Sequence, residues 1–200
     1  MSVPMPSAPD RSLRRRPWKE AEFASLDFET TGLDLERDHV VSFGVVPIRG
    51  GRIVVGEAVH QLVEPMAPPS RLSVAVHGIR PLDLANAPPL EQVSEALGGA
   101  LDRRYLLVWY ADVELAFLRR IFGGSARAWS RRTVDVRSLA LLAEGGGENG
   151  LGLGSCAERY GVPVASPHEA LDDALVTAQL FLVLAHRLGL RTVADLLRAG

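Results

Sequence analysis

Phe23-Ala24-Ser25-Leu26-Asp27-Phe28-Glu29-Thr30-Thr31-Gly32-Leu33 is the stretch on which the fold turns. An apolar run ending in two acids one residue apart reads as a buried strand, since side chains alternate faces along extended backbone. Asp27 and Glu29 then stand side by side, with Phe28 packed behind. Adjacent carboxylates repel unless a cation sits between them. A divalent ion is the usual resolution, and an oxygen-rich site selects Mg2+ or Mn2+. An isolated Asp-x-Glu would read as solvated acids at a strand end. Here Thr30, Thr31, Gly32 and Leu33 follow. Such a loop could turn backbone N–H groups to a phosphate and set Leu33 as an apolar wedge against a base.

The neighbouring segments extend this strand into a sheet. Val40 to Ile48 is β-rich, Gly50-Gly51 is a hairpin signal, and Arg52 to Val63 reads as the partner strand. The first half is thus a three-stranded antiparallel meander, closed by a loop containing Pro65, Pro68 and Pro69. After Pro88-Pro89, Leu90, Val93, Ala96, Leu97, Ala100 and Leu101 recur at helical spacing. Leu106 to Trp109 reads as a short strand. Val113, Phe117, Leu118 and Ile121 mark a helix ended by Gly123-Gly124. Thr133 to Val136 reads as a strand, with a helix after it to about Ala143. Gly145 to Gly150 reads as a flexible break. Helices follow over Leu151 to Tyr160, Glu169 to Leu188 and Thr192 to Leu197. A meander followed by strand–helix alternation predicts an α/β layer fold with a mixed sheet.

Composition sets outer bounds. The chain has 200 residues, 47% hydrophobic and 23% charged, which suits one domain and excludes disorder throughout. Cys156 is the single cysteine, so a disulfide scaffold and a Cys-rich zinc site are excluded. No apolar run reaches the length of a membrane span, and the N-terminus lacks the apolar core of a secretory signal. The expected location is cytoplasmic. Net charge is −2 but unevenly placed. Residues 1–19 carry Arg11, Arg14, Arg15, Arg16 and Lys19 against Asp10, and read as a flexible basic leader before a domain over 20–200. The leader's arginines read as a solvated tail. The acidic remainder argues against a protein that coats DNA, and is silent on an enzyme that grips phosphates through metal ions.

A second constellation lies at the mouth of the long helix: Ser166-Pro167-His168-Glu169-Ala170-Leu171-Asp172-Asp173. Acids suit a helix N-terminus, and Ser166, Pro167 and Glu169 fit a capping box. That reading explains neither His168 nor two successive aspartates. Were the helix to start at Pro167, His168 and Asp173 would lie about 140° apart around it. A start nearer Ala170 leaves His168 in a lead-in loop instead.

Together, Asp27-Phe28-Glu29-Thr30-Thr31-Gly32 and His168-x-Ala170-x-x-Asp173 resemble the DnaQ-like 3′→5′ exonucleases of the DEDDh class. That family includes the proofreading epsilon subunit of bacterial DNA polymerase III. His77-Gly78-Ile79 with Ala87-Pro88, Thr133-Val134-Asp135 with Leu139-Ala140, and Ala157 to Pro163 follow the same order. The resemblance covers roughly residues 20–188. It implies a ribonuclease H-like fold, with a mixed five-stranded sheet flanked by helices. It implies that Asp27, Glu29 and Asp173 hold two Mg2+ or Mn2+ ions, and that His168 is the general base. With that role the helix is expected to start nearer Ala170, which leaves His168 in a mobile lead-in loop able to swing over the metals. The implied substrate is the 3′ end of single-stranded or frayed DNA, released as nucleoside 5′-monophosphates. A DNA polymerase catalytic subunit is an implied partner. Two rivals stand beside this reading: an RNA-directed exoribonuclease of the same fold, and a non-catalytic accessory module. Oligomeric state is not legible in the sequence.

One motif departs from the family. Its usual form is His-Asn-x-x-Phe-Asp-x-x-Phe-Leu; here Trp109-Tyr110-Ala111-Asp112-Val113-Glu114-Leu115-Ala116-Phe117-Leu118 stands. Anchoring on Phe117-Leu118 puts Glu114 in the acidic position. Glu114 shares a helical stripe with Leu118 and Ile121, leaning towards the sheet. Asp112 sits between strand and helix, the place for an N-cap. Glu114 is therefore assigned to the metal site and Asp112 to capping. Trp109 and Tyr110 read as core or as residues that reshape the pocket. Arg119, Arg120, Arg127, Arg131, Arg132 and Arg137 read as a solvated face. His39, His60 and His186 read as surface or packing residues, His77 as structural and Cys156 as core.

Overall fold

The computed structural model describes residues 3–146 and 151–200. The six strands among them are β1 (Phe23–Thr30), β2 (Val40–Arg49), β3 (Arg52–Ile53), β4 (Val59–Leu62), β5 (Tyr105–Val108) and β6 (Thr133–Asp135). They form one sheet in the order β3-β2-β1-β5-β6, with β4 also paired to β2. β1 runs antiparallel to β2 and parallel to β5, and β5 runs parallel to β6. The mixed sheet is as expected, and the strand carrying Asp27 and Glu29 lies at its centre.

The count rises from five strands to six because the expected Arg52-to-Val63 strand is broken. Ile53 pairs with Ile48 and Val59 with Val45, so the five residues between them must fit against two. The surplus leaves the sheet as a 3-10 turn over Val55–Glu57. Arg49 pins that turn through two hydrogen bonds to Glu57, at 3.0 and 2.9 Å.

Nine helices are described: α1 (Arg71–His77), α2 (Pro81–Leu84), α3 (Leu90–Leu101), α4 (Ala111–Phe122), α5 (Ala126–Ser130), α6 (Val136–Ala143), α7 (Leu153–Arg159), α8 (Ala170–Arg187) and α9 (Val193–Ala199). α1, α2 and α5 are not predicted by the sequence; α2 and α5, of 4 and 5 residues, are too short to show a period. The strand alternation of β1 sorts the helices into two layers. Ala24, Leu26 and Phe28 face the α3–α4–α5 side, packed with Leu97, Phe117 and Trp129. Phe23 faces the α6–α9 side, packed with Phe181, Leu139 and Leu196. Asp27 and Glu29 belong to this second face, under α8. Of the expected Gly145-to-Gly150 break, Gly145 and Gly146 are turn residues with φ of 78° and 90°. Residues 147–150 lie outside the described residues. Among the described residues, no helix is long and apolar enough to cross a membrane.

The leader is the main correction. Residues 3–19 lie on the domain instead of forming a separate tail. Trp18 is 7% exposed, packs edge-on against Phe181 and Phe23, and donates its indole N–H to Leu190 O at 3.1 Å. Burial of a side chain this large contributes roughly 2–3 kcal/mol, enough to hold a short segment down. Arg132 supplies a second anchor. It was read as part of a solvated face, yet it is 2% exposed and donates to the Pro6 and Ser7 carbonyls at 3.1 and 3.0 Å.

Candidate active site

β1 extends beyond its partner β5. Their pairing ends at Ser25–Leu107, so the flank of β1 from Asp27 onward is open on that side. Glu114, in the first turn of α4, fills the opening. It is 5% exposed, and its carboxylate accepts the Phe28 backbone N–H that β5 would otherwise have received. One of its oxygens, Oε2, is buried with no hydrogen-bond partner among the described residues. Asp112, in the same turn, is exposed. The sequence expectation that Asp112 caps the helix is corrected, because Tyr110 holds the N-cap position. The cap comes instead from Asp135, whose Oδ2 accepts the Ala111 N–H at 3.2 Å and whose Oδ1 accepts from Ser138 at 3.1 Å.

α8 brings the remaining acid. It begins at Ala170, so the capping-box geometry fails and His168 lies in the lead-in. That lead-in is held more firmly than the mobile loop expected. Asp172 Oδ2 accepts the backbone N–H groups of Ala165 and Ser166 at 2.9 and 2.7 Å. Asp173 Oδ2 accepts the N–H of His168 at 3.2 Å. His168 has φ 61°, a left-handed conformation that a non-glycine residue holds only where its surroundings fix it. Only its exposed imidazole is left to move.

Gly44 makes the approach possible, and sequence reasoning missed it. It pairs with Asp27 across the β1–β2 ladder. A Cβ there would stand 2.3 Å from Ala170 O and 2.4 Å from the Leu171 Cα. Helix and strand backbones therefore touch, which lowers the start of α8 onto the carboxylates. A glycine inside an apolar strand was the available signal.

The result is a cluster of Asp27, Glu29, Glu114 and Asp173. Ligand atoms of Glu29, His168 and Asp173 lie within 4.8 Å of one another. Every carboxyl in the cluster is displaced upward. Burial raises Asp27 well above the usual range, and Glu114, Glu29 and Asp173 raise it further. Burial and then Asp173 push Glu29 to about 8. Burial and Glu29 raise Glu114 against the opposing Phe28 N–H. Burial lifts Asp173 to about 6, although His168 pulls it down. Four acids converge with no cationic side chain bonded among them from the described residues, and one offers a buried oxygen unpartnered among those residues. The donor set is all-oxygen apart from the His168 imidazole. It fits a hard divalent ion.

The loop after β1 is corrected in part. Thr31 is buried and its groups are already used: its hydroxyl donates to Asp38 Oδ1 at 2.7 Å and its N–H donates to His39 O at 2.8 Å. The Thr30 hydroxyl donates to Gly32 O at 2.7 Å. A Cβ on Gly32 would meet Asp38 Oδ2 at 2.4 Å, so a side chain there would force the Asp38 carboxylate to shift. These residues shape the loop, and Leu33, 92% exposed, projects from it. His77 supports the same loop. Its Nδ1 accepts the Ile79 N–H at 3.0 Å, which leaves the proton on Nε2, 3.3 Å from Thr30 O. Trp109 is buried core, whereas Tyr110 is 48% exposed with the Arg137 guanidinium 5.0 Å over its ring.

Residues 25–181 match the RNase T family, described as Exonuclease. Over 169 residues the chain is 36% identical to a DNA polymerase III PolC-type of Thermotoga maritima, covering 82% of this chain and 12% of that one. It is 32% identical to a DNA polymerase III subunit epsilon-like protein of Rhodobacter capsulatus, covering 86% of this chain and 25% of that one. The chain thus spans a quarter or less of these two relatives. Among solved structures, Exonuclease X in complex with 5′ overhanging duplex DNA superposes with a TM-score of 0.70 at 21% identity, covering 89% of this chain and 99% of that one. Exonuclease I of E. coli with a dT13 oligonucleotide gives 0.71 at 17% identity, over 84% and 42%. With the match running through β1, α4 and the first turns of α8, the chain belongs to the exonuclease family.

Proposed function

We propose that this chain is a metal-dependent 3′→5′ exonuclease acting on single-stranded DNA or a frayed 3′ terminus. The observation that carries the proposal is the convergence of Asp27, Glu29, Glu114 and Asp173 around the end of β1, with His168 at their rim. The polymerase III names of the relatives and the DNA in the two solved neighbours support the substrate class. They also support a DNA polymerase catalytic subunit as partner, and a cytoplasmic setting.

The four carboxylates would hold two Mg2+ or Mn2+ ions. When bound, such ions lower the pKa of a water and stabilise a leaving oxygen. The chain's own residues do the rest. His168, neutral, takes the proton of the attacking water. The water oxygen bonds to the terminal phosphorus, and the bond from phosphorus to the penultimate 3′ oxygen breaks. That oxygen leaves with the shortened strand and the last nucleotide departs as a 5′-monophosphate. Leu33 abuts the terminal base and Thr31 keeps the loop under it in shape.

The test is a release assay on single strands labelled at the 3′ or the 5′ end, in DNA and RNA, with and without Mn2+. The expected result is early release of the 3′ label as a mononucleotide, from DNA, only with metal. Preference for RNA would move the substrate class. No release from either strand would leave the non-catalytic reading.

A further inference from the structure

The docked N-terminal segment raises the question of what it presents. It is held at three places. Trp18 is buried, Arg132 grips the Pro6 and Ser7 carbonyls, and the Arg16 carbonyl accepts from Val193 at 3.4 Å. Burial pulls Arg132 down to about 10, the cost of sealing a cation among carbonyls. Between these anchors, Arg11 to Arg15 forms a 3-10 turn. Arg14 is fixed: its guanidinium donates to Arg131 O at 2.8 Å and to the Tyr105 hydroxyl.

Two adjoining cavities, of about 320 and 340 Å3, open beside this turn and share Arg14 and Arg131. Arg11 lines the first and Arg198 the second. Arg198 is bridged to Asp195, but Arg11, Arg14, Arg15 and Arg131 form no ion pair with described residues. The nearest leader acid, Asp10, is occupied by the Ser12 N–H and hydroxyl. An otherwise acidic chain thus gathers at one edge four arginines without ion pairs among the described residues, one of them, Arg14, held in place by its hydrogen bonds.

We infer that this arginine cleft binds the phosphate backbone of the substrate strand, several nucleotides away from its 3′ end. The inference rests on the nucleic-acid substrate proposed above. A polyanion is favoured because successive cations around two joined cavities suit a repeating charge, and Arg forks match phosphate oxygens. The cleft lies at the start of β5, where Tyr105 pairs with Phe23. Asp27 and Glu29 are four and six residues further along β1, about 13–20 Å at ~3.3 Å per residue. At about 3.4 Å per nucleotide, that separation needs a strand of at least roughly four to six nucleotides.

The test compares wild type with a variant carrying Arg11→Gln, Arg14→Gln and Arg131→Gln, on a trinucleotide and on a long oligothymidylate. A second variant, Arg11→Gln with Arg131→Gln, keeps the Arg14–Tyr105 bond in case the first fails to fold. We expect KM for the long strand to rise about tenfold with kcat unchanged, and neither constant to move for the trinucleotide. The dependence of log KM on log salt should flatten by about 2 for three lost phosphate contacts on a single strand. Unchanged KM and salt slope on the long strand would overturn the inference. So would a variant that loses only a polyaspartate peptide, which would make the cleft a protein site. If wild type hydrolyses neither substrate, fluorescence anisotropy of the labelled long strand still reads the cleft. Arginine-dependent binding would then uphold it while the hydrolysis reading fell.

Discussion

A Cβ on Gly44 would stand 2.3 Å from the carbonyl oxygen of Ala170, so strand and helix backbones are in direct contact at this point. Gly44 pairs with Asp27 in the ladder, and Ala170 opens the helix that carries Asp173. One missing methyl group therefore sets the height of the second half of the site above the first.

Gly44→Ala is expected to push the start of α8 outward. Overpacking of this kind costs about 1–3 kcal/mol. Moving a reacting group by about 1 Å costs on the order of 100-fold in rate. Urea denaturation and kcat together check the claim. A variant that keeps wild-type rate would show that α8 tolerates a higher seat.

Glu114→Gln should weaken hydrolysis far more than Asp112→Asn. Glu114 is buried against the Phe28 N–H and beside Glu29, while Asp112, in the same turn, is exposed. Initial rates in Mg2+ at fixed salt decide it. An inactive Asp112→Asn beside an active Glu114→Gln would reverse the assignment.

His168→Ala should lower kcat by about 10²–10⁴-fold while leaving metal binding intact, as for loss of a general base. A near wild-type rate would place the proton elsewhere, on a group such as metal-bound water.

The metal-free protein should become less stable as pH rises. Glu29 and Asp173 have folded pKa values of about 8 and 6, above the ordinary carboxylate values of 4.5 and 3.8. A carboxyl raised on folding supports the fold while protonated, and that support is lost as pH climbs through the folded value. Tm in EDTA should therefore fall between about pH 5 and 8.5, and Mg2+ should recover most of the loss at the alkaline end. A Tm that is flat or rising over this range would mean that burial and neighbouring charge do not raise these carboxyls as described.

Strand alternation puts Asp27 and Glu29 on one face of β1, and that much is legible because it acts over two residues. Their part in a metal site with Glu114, Asp173 and His168 is legible only through the resemblance of the motifs, Glu114 by its register with Phe117 and Leu118. The α8 start was legible too, because a start at Pro167 would have separated His168 from Asp173. What the sequence hid depends on contacts between distant segments. Arg132 reads as one of several surface arginines until Pro6, Ser7, Leu101 and Arg104 offer it their carbonyls. Trp18 reads as part of a polar tail until Phe181, more than 160 residues away, packs against it. Thr31 looked free for substrate because its partner Asp38 lies across a loop. The broken third strand follows from a pairing mismatch between Ile53 and Val59 that no local pattern encodes.

The central claim is that Asp27, Glu29, Glu114 and Asp173 form one divalent-metal site that drives hydrolysis. The most direct measurement is Mn2+ binding at pH 7.5 by electron paramagnetic resonance, on wild type and on Asp27→Ala and Asp173→Ala, with thermal unfolding run alongside. Wild type should take up Mn2+ in a saturable manner, and each variant should stay folded, lose that uptake and lose hydrolysis with it. Wild-type protein that binds no Mn2+ beyond scattered surface carboxylates, or variants that bind and cleave within a few-fold of wild type, would contradict it.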